Sequence, residues 1–312
     1  MNKNAVALPS FQARFLLPKY WPTWLGVGVL YALSWLPYRL QLVLGRGLGK
    51  LLYKILPKRV KIARRNLQLC YPDMPTEERE QLLKENFANN GIALFETGIA
   101  WWWPDWRLKR KLTISGWEHI QHNIDNGYGS LVLLFHFLNL EVHARVVGLH
   151  HPSIGLYRPH NNALMEYLQT KGRSRSNKYM IQRKDVRGMI RALNDGEVCG
   201  YLPDQDYGPR RSVFVPLFDV PDACTTTGTS IFAGLKKARP LVSVCKRLPK
   251  GRGYHLHFYP LQEDIPTGDL VEDASRINKE VERAIAMQPE LYMWVHRRFK
   301  TRPETDMPSY YR

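Results

Sequence analysis

From residue 129 onward the chain keeps exchanging one hydrophobic period for another. "GSLVLLF" is a continuous apolar run of strand length, and "LEVHARVVGL" after it is helical. "SIGLYRP" then reads as a strand, "NNALMEYLQTKG" as a helix stopped by Gly172, "DVRGMIRALNDG" as a helix and "EVCGYLP" as a strand. Strands alternating with helices predict an α/β layered domain with a mixed, partly parallel sheet flanked by helices. Farther on, "SVFVPLF", "PLVSVCKR" and "GYHLHFYPL" add strands, "TTTGTS" opens a helix, and residues 270–287 form a last helix. Upstream, "TEEREQLLKENFANNGIALFETGIAWWW" predicts a long helix with Thr76 as its N-cap. No internal repeat or low-complexity linker divides residues 61–312, so they read as one domain.

The first sixty residues have another character. Nineteen uncharged residues, "YWPTWLGVGVLYALSWLPY", lie between Lys19 and Arg39. As one helix they would extend about 28 Å, against roughly 30 Å for a bilayer core. Trp, Tyr and Pro flank the run as at a lipid interface. Lys3, Arg14 and Lys19 precede it and nine basic residues follow between Arg39 and Arg65, which would place the C-terminal part in the cytoplasm if the segment spans. A buried core helix is the competing reading. In "LQLVLGRGLGKLLYKILPKR", Arg46, Lys50 and Lys54 recur every four residues, a pattern that suits either an anionic headgroup layer or packing on the core.

Lys and Arg number 45 against 28 Asp and Glu, a formal net charge of +17. Such an excess favours anionic partners: a phospholipid surface, an acidic carrier protein or nucleic acid. The tryptophans of "AWWWPDW" could stack on bases, but no nucleic-acid motif accompanies them, and nucleic acid is not expected as a partner. Cys70, Cys199, Cys224 and Cys245 show no paired spacing, and a chain of 312 residues can build its core without disulfides, so a reducing compartment is expected.

Chemistry concentrates in "LVLLFHFLNLE", which delivers His136 at the end of an apolar strand and Glu141 five positions later. On one helix the two would stand about 140° apart. The pair makes chemical sense when His136 lies at the carboxyl end of the strand and Glu141 in the first turn of the next helix. From there the carboxylate could reach back to one imidazole nitrogen and leave the other as a base. A buried histidine beside a surface glutamate is the plain alternative. His143 gives the stretch a faint look of a metal site, but no third ligand is evident, and neither metal nor cofactor is expected. Arg158, ending the next strand, would open onto the same edge and could bind a phosphate or a developing oxyanion, or form a surface ion pair. Arg173, Arg175 and Lys178 share one loop that is either an anion site or merely solvated. Asp204 and Asp206 in "YLPDQDYGPRR" precede Arg210 and Arg211, so a turn that positions basic side chains is favoured over a metal site. "TTTGTS" offers a phosphate cradle or a simple N-cap. Nucleophile-elbow, Walker and dinucleotide motifs are all absent, which favours a base that activates a substrate hydroxyl over covalent catalysis.

Taken together, "PKYWPTWLGVGVLY", "ARRNLQLCYPDM", "ETGIAWWWPD", "HFLNLE", "YRPHNNALMEYLQTKGRSRSNK", "PDQDYGPRRSVFVPLF", "TTTGTS" and "YMWVHRRFKTRPE" resemble the bacterial lipid A biosynthesis acyltransferases, most of all the lauroyl branch. The resemblance covers nearly the whole chain. It implies transfer of an acyl group from acyl carrier protein to the hydroxyl of a 3-hydroxyacyl chain on a phosphorylated lipid A precursor, at the cytoplasmic face of the inner membrane. It also implies His136 as the base, Glu141 as its acidic partner, and Arg158 and the Asp204–Asp206 segment in acceptor binding. Arg173, Arg175 and Arg210 are carried as further substrate-binding candidates. The chain departs from the branch at Asn139, at "HNN" (160–162) and at Gln205, positions that bear on acyl-chain choice. An enzyme of the same superfamily acting on another phospholipid or glycolipid is the alternative. Residues 1–60 are expected to anchor the chain in the membrane and 61–312 to form the catalytic domain.

Overall fold

In the computed structural model, residues 9–311 are described. Lys3, counted above among the flanking charges, lies outside them. The N-terminal third is helical: α1 (Trp21–Ser34), α2 (Tyr38–Ile55), α3 (Pro57–Cys70), α4 (Thr76–Trp102) and α5 (Asp105–Lys109). The rest alternates strands with helices, as anticipated from residue 129 onward except for β4, with β1 and α6 added before: β1 (Leu112–Ser115), α6 (Trp117–Asp125), β2 (Gly129–Leu133), α7 (Leu140–His150), β3 (Ser153–Tyr157), α8 (Ala163–Arg173), β4 (Asn177–Gln182), α9 (Val186–Asn194) and β5 (Val198–Tyr201). A two-stranded hairpin of β6 (Ser212–Leu217) and β7 (Val220–Thr226) follows, then α10 (Gly228–Ala233), β8 (Ala238–Leu248), β9 (Gly253–Tyr259) and α11 (Leu270–Met287).

Seven strands make one sheet in the order β1-β9-β8-β2-β5-β3-β4. Five run parallel, and the β8–β9 hairpin turns β9 and β1 the other way. The sheet is therefore mixed and mostly parallel. β2 lies in its middle with every residue buried. Period-two alternation sends Leu131, Leu133 and Phe135 into one core, beside α3, α9 and α11, and Val132 and Leu134 into the other, beside α6 and α7. An apolar run without polar alternation is what a strand covered on both faces requires. Thr76 is the first helical residue of α4 rather than its cap, because Pro75 holds the extended cap position. "TTTGTS" does not open one helix: Thr225 and Thr226 finish β7, and α10 begins at Gly228.

The nineteen-residue uncharged run is not one helix. Among the described residues no helix is long and apolar enough to cross a membrane. α1 has fourteen residues, about 21 Å at the α-helical rise. Its end is held by side chains rather than left to lipid. Gln41 Nε2 donates to the carbonyls of Ser34 (2.7 Å) and Leu36 (2.8 Å), and Trp103 Nε1 donates to the Ser34 carbonyl at 2.5 Å. These donors satisfy carbonyls that a helix terminus leaves open, and Pro37 then redirects the chain into α2.

α2 crosses α4 at backbone distance. A Cβ placed on Gly49 would stand 2.1 Å from the Phe87 carbonyl oxygen, and one on Gly91 would stand 2.1 Å from that of Gly45. The obstacle is backbone and cannot rotate away. Replacing Gly91 by valine will therefore destabilise the chain by at least about 3 kcal/mol, the upper end for overpacked sites, measured by urea unfolding. The glycine-bearing face of α2 thus packs on α4, while Arg46, one of its cationic row, is tied to Glu85 of α4 at 2.5 Å.

Candidate active site

Strand register builds the centre of the site. Leu133 of β2 pairs with Tyr201 of β5, and three residues beyond each come His136 and Asp204. Both side chains therefore emerge at the same carboxyl edge, where parallel sheets place ligands. His136 Nδ1 and Asp204 Oδ1 are 2.7 Å apart, and the His136 backbone N–H donates to Asp204 Oδ2 at 2.8 Å. Asp204 is buried. Burial alone would raise its carboxyl, but the charge and hydrogen bonds of His136, with help from the Tyr292 hydroxyl, hold it below the usual carboxylate range. An ionised carboxylate only accepts, so Nδ1 carries a proton, and in the neutral form of the ring it is Nε2 that holds the lone pair. The loop is pinned from behind, because Met293 N–H donates to the His136 carbonyl (3.0 Å) and Leu138 N–H to that of Leu291 (2.8 Å).

Glu141 sits on the first turn of α7 as expected, but it does not orient the imidazole. Its carboxylate accepts from Arg173 Nε at 3.0 Å, from Arg173 Nη2, and from Trp101 Nε1 at 3.0 Å. Glu141 thus brackets α7 to α8 and α4, and the carboxylate partner of His136 is Asp204. Local spacing suggested the nearer acid, whereas the sheet supplies one 68 residues away.

The remaining candidates divide. Arg158 and Arg210 line, with His136, an open cavity of about 560 Å³ at the strand ends. Arg173 is instead the Glu141 partner, and Arg175 donates to the carbonyls of Trp101 (2.7 Å) and Trp103 (2.8 Å), closing the end of α4. Neither is free to bind substrate in this arrangement. Asp206 is buried and accepts from Gly208 N–H (2.9 Å) and from the Thr301 N–H and hydroxyl (2.8 Å each), so it clamps its loop to the C-terminal segment. Lys178 pairs with Glu197 at 2.5 Å.

The sequence reading did not single out Arg183 and Lys184, and it took Arg211 only as part of a turn. All three line the same cavity. Register again explains the first: Tyr157 pairs with Gln182, so Arg158 and Arg183 leave neighbouring strands side by side. Leu156, Met189, Tyr201, Ile231 and Phe232 give the cavity an apolar wall. The site therefore offers a free imidazole nitrogen, a cationic rim and room for hydrocarbon.

His143, which had suggested a metal, is buried with Nε2 at 2.8 Å from Ser243 Oγ. Burial lowers its pKa to about 3, and burial chiefly lowers His296, behind His136, to about 4. Among the described residues no group of three or more His, Cys, Asp or Glu side chains could hold a metal ion. Both histidines stay neutral in the fold while the unfolded chain takes up protons below about pH 6.5. Stability is consequently complete above that value and falls as pH drops toward 4. Thermal melts across this range will show the decline, and His143→Asn will make it shallower.

The family profile described as bacterial lipid A biosynthesis acyltransferase matches residues 8–301. The chain belongs to this family. It is an acyltransferase, in line with the names of its relatives. The lipid A biosynthesis lauroyltransferase of Escherichia coli (strain K12) is 50% identical over 304 residues, covering 97% of this chain and 99% of the relative. A lipid A biosynthesis acyltransferase of Haemophilus influenzae is 46% identical, covering 97% and 98%. The palmitoleoyltransferase of Escherichia coli is 43% identical over 96% and 98%. Of these two Escherichia coli relatives, the lauroyl enzyme is thus more similar to this chain than the palmitoleoyl enzyme.

Proposed function

We propose that this acyltransferase moves a lauroyl group from acyl carrier protein to the hydroxyl of a 3-hydroxyacyl chain on a phosphorylated lipid A precursor. The observation that carries the reading is the His136–Asp204 pair opening, through a free Nε2, onto a cavity with both cationic and apolar walls. The acceptor hydroxyl gives its proton to His136 Nε2 as its oxygen attacks the thioester carbonyl carbon. The tetrahedral intermediate collapses with cleavage of the C–S bond, and the imidazolium returns the proton to the leaving thiolate. No acyl-enzyme is required. Arg158, Arg183, Lys184, Arg210 and Arg211 offer countercharge to phosphate groups of either substrate, and a net charge of +17 draws both anionic partners in.

A base of this kind supplies roughly 10²–10⁴-fold, and holding thioester and hydroxyl together can supply about 7–11 kcal/mol more. Positioning therefore outweighs proton transfer, which favours action at a membrane surface where the lipid acceptor is already concentrated. The cytoplasmic face of the bacterial inner membrane is the proposed location. Residues 1–60 would serve as the membrane-facing part and 61–312 as the catalytic part. This is a division of labour, since α2 packs closely on α4. Purified enzyme incubated with lauroyl carrier protein and either lipid A precursor or glycerol phosphate will acylate the former, detected by mass spectrometry. Transfer only to glycerol phosphate would refute the acceptor assignment.

A further inference from the structure

Of the twenty large apolar side chains that stand exposed among the described residues, fourteen fall between Phe11 and Leu56. On α1, Trp21, Leu25 and Val29 follow at four-residue steps and share one helical face. On α2, Leu44, Leu51 and Ile55 make a second stripe between the glycine seam and the Arg46–Lys50–Lys54 row. So many exposed apolar side chains gathered in one stretch of chain mark an interaction site.

Charge over the same stretch is one-sided. Residues 1–72 hold twelve Lys and Arg and no Asp or Glu, so they contribute +12 of the net +17. Arg46 and Arg64 are engaged by Glu85 and Glu80 of α4; a protein partner would have to match an apolar band and the remaining cations at once, whereas an anionic lipid leaflet offers both in fixed order. The surface also adjoins the site. Asn162 Nδ2 donates to Thr23 Oγ1 on α1 at 3.1 Å, and Phe15 and Tyr20 cluster with Leu164 of α8. The apolar face therefore begins beside the segment that brings Arg158 to the cavity rim.

We propose that α1 and α2 lie in the plane of the membrane, with their exposed apolar stripes in one leaflet and their cations among anionic headgroups, and that the chain returns to the side it entered from. This deepens the membrane-surface reading above and rests on it. A lipid acceptor could then present its headgroup to His136 while its acyl chains stay in the leaflet.

Two measurements separate the claims. In flotation of the full chain with phosphatidylethanolamine vesicles containing or lacking phosphatidylglycerol, the chain will float with the anionic vesicles. The triple variant Trp21→Ser, Leu25→Ser, Val29→Ser will bind at least about tenfold more weakly, with unchanged circular dichroism. Failure of the parent chain to float would overturn both readings, including the case of self-association through the patch. Topology is read from cysteines placed at exposed Ser10 and Lys236, the four native cysteines being buried. In inside-out membrane vesicles, a membrane-impermeant maleimide will label Ser10→Cys and Lys236→Cys alike. Flotation together with Ser10→Cys labelling only in right-side-out vesicles would overturn the in-plane arrangement while leaving the membrane reading intact.

Discussion

Replacing Asp204 by asparagine will lower kcat by about 10²–10⁴-fold while the protein stays folded. The reason is a tautomer. Asparagine can still accept one hydrogen bond, but its amide would donate toward His136 Nδ1, forcing the proton onto Nε2 and removing the base from the cavity. His136→Ala should lose as much, and the double variant little more, because the two residues act as one unit. Steady-state transfer from lauroyl carrier protein measures all three. Asp204→Asn turning over at the parental rate would sink the assignment. Glu141→Gln differs in kind: it loosens the Arg173 bracket between α7 and α8, so its activity loss will come with a loss of about 1–3 kcal/mol in stability.

The largest effect on stability is expected far from the cavity. Arg247 of β8 and Glu96 of α4 are both buried and meet at 2.7 and 2.8 Å, with Arg247 Nη1 also donating to Asn89 and the Tyr254 hydroxyl donating to Glu96 at 2.9 Å. Burial works against the Arg247 charge, but Glu96 more than offsets it and pushes the guanidinium pKa up. Removing one partner strands a charge in the core, so Glu96→Gln or Arg247→Met will cost about 3–5 kcal/mol in urea unfolding. The double variant Glu96→Leu, Arg247→Met will recover a large share of that loss, since hydrophobic replacement of both members often comes near neutral. A double variant as unstable as the two single losses combined would show that the ion pair itself is not the cause.

Strong periodicity made most of the fold legible. β2, β3, β5 and α11 stood out because an uninterrupted apolar run or a clean helical stripe has one comfortable environment. β4 escaped because "NKYMIQ" begins with polar residues and lies at the sheet edge, where only part of it is buried. The uncharged segment misled because composition says nothing of Gln41, Trp103 and Pro37, which end α1 where lipid would have continued it. At the site, His136 and Arg158 were readable as residues that close a strand. Asp204 was noticed for the wrong reason, since its partner is set by pairing across the sheet. A usable signal was present: both "LVLLFH" and "VCGYLPD" end an apolar strand with an ionisable group. Arg173 and Arg175 were ordinary loop cations until helices brought Glu141 and the end of α4 to them.

The equal offset of His136 and Asp204 from the Leu133–Tyr201 pairing has a consequence for how the chain becomes competent. In the proposed mechanism neither residue is a catalyst alone, and no local segment contains both. Reactivity therefore arises only when two central strands have docked in the correct register. A slip of one residue would turn the partner's side chains to the other face of the sheet. A nascent or misfolded chain would carry every chemical group yet remain inert, so enzymatic turnover reports that the middle of the sheet has been correctly assembled.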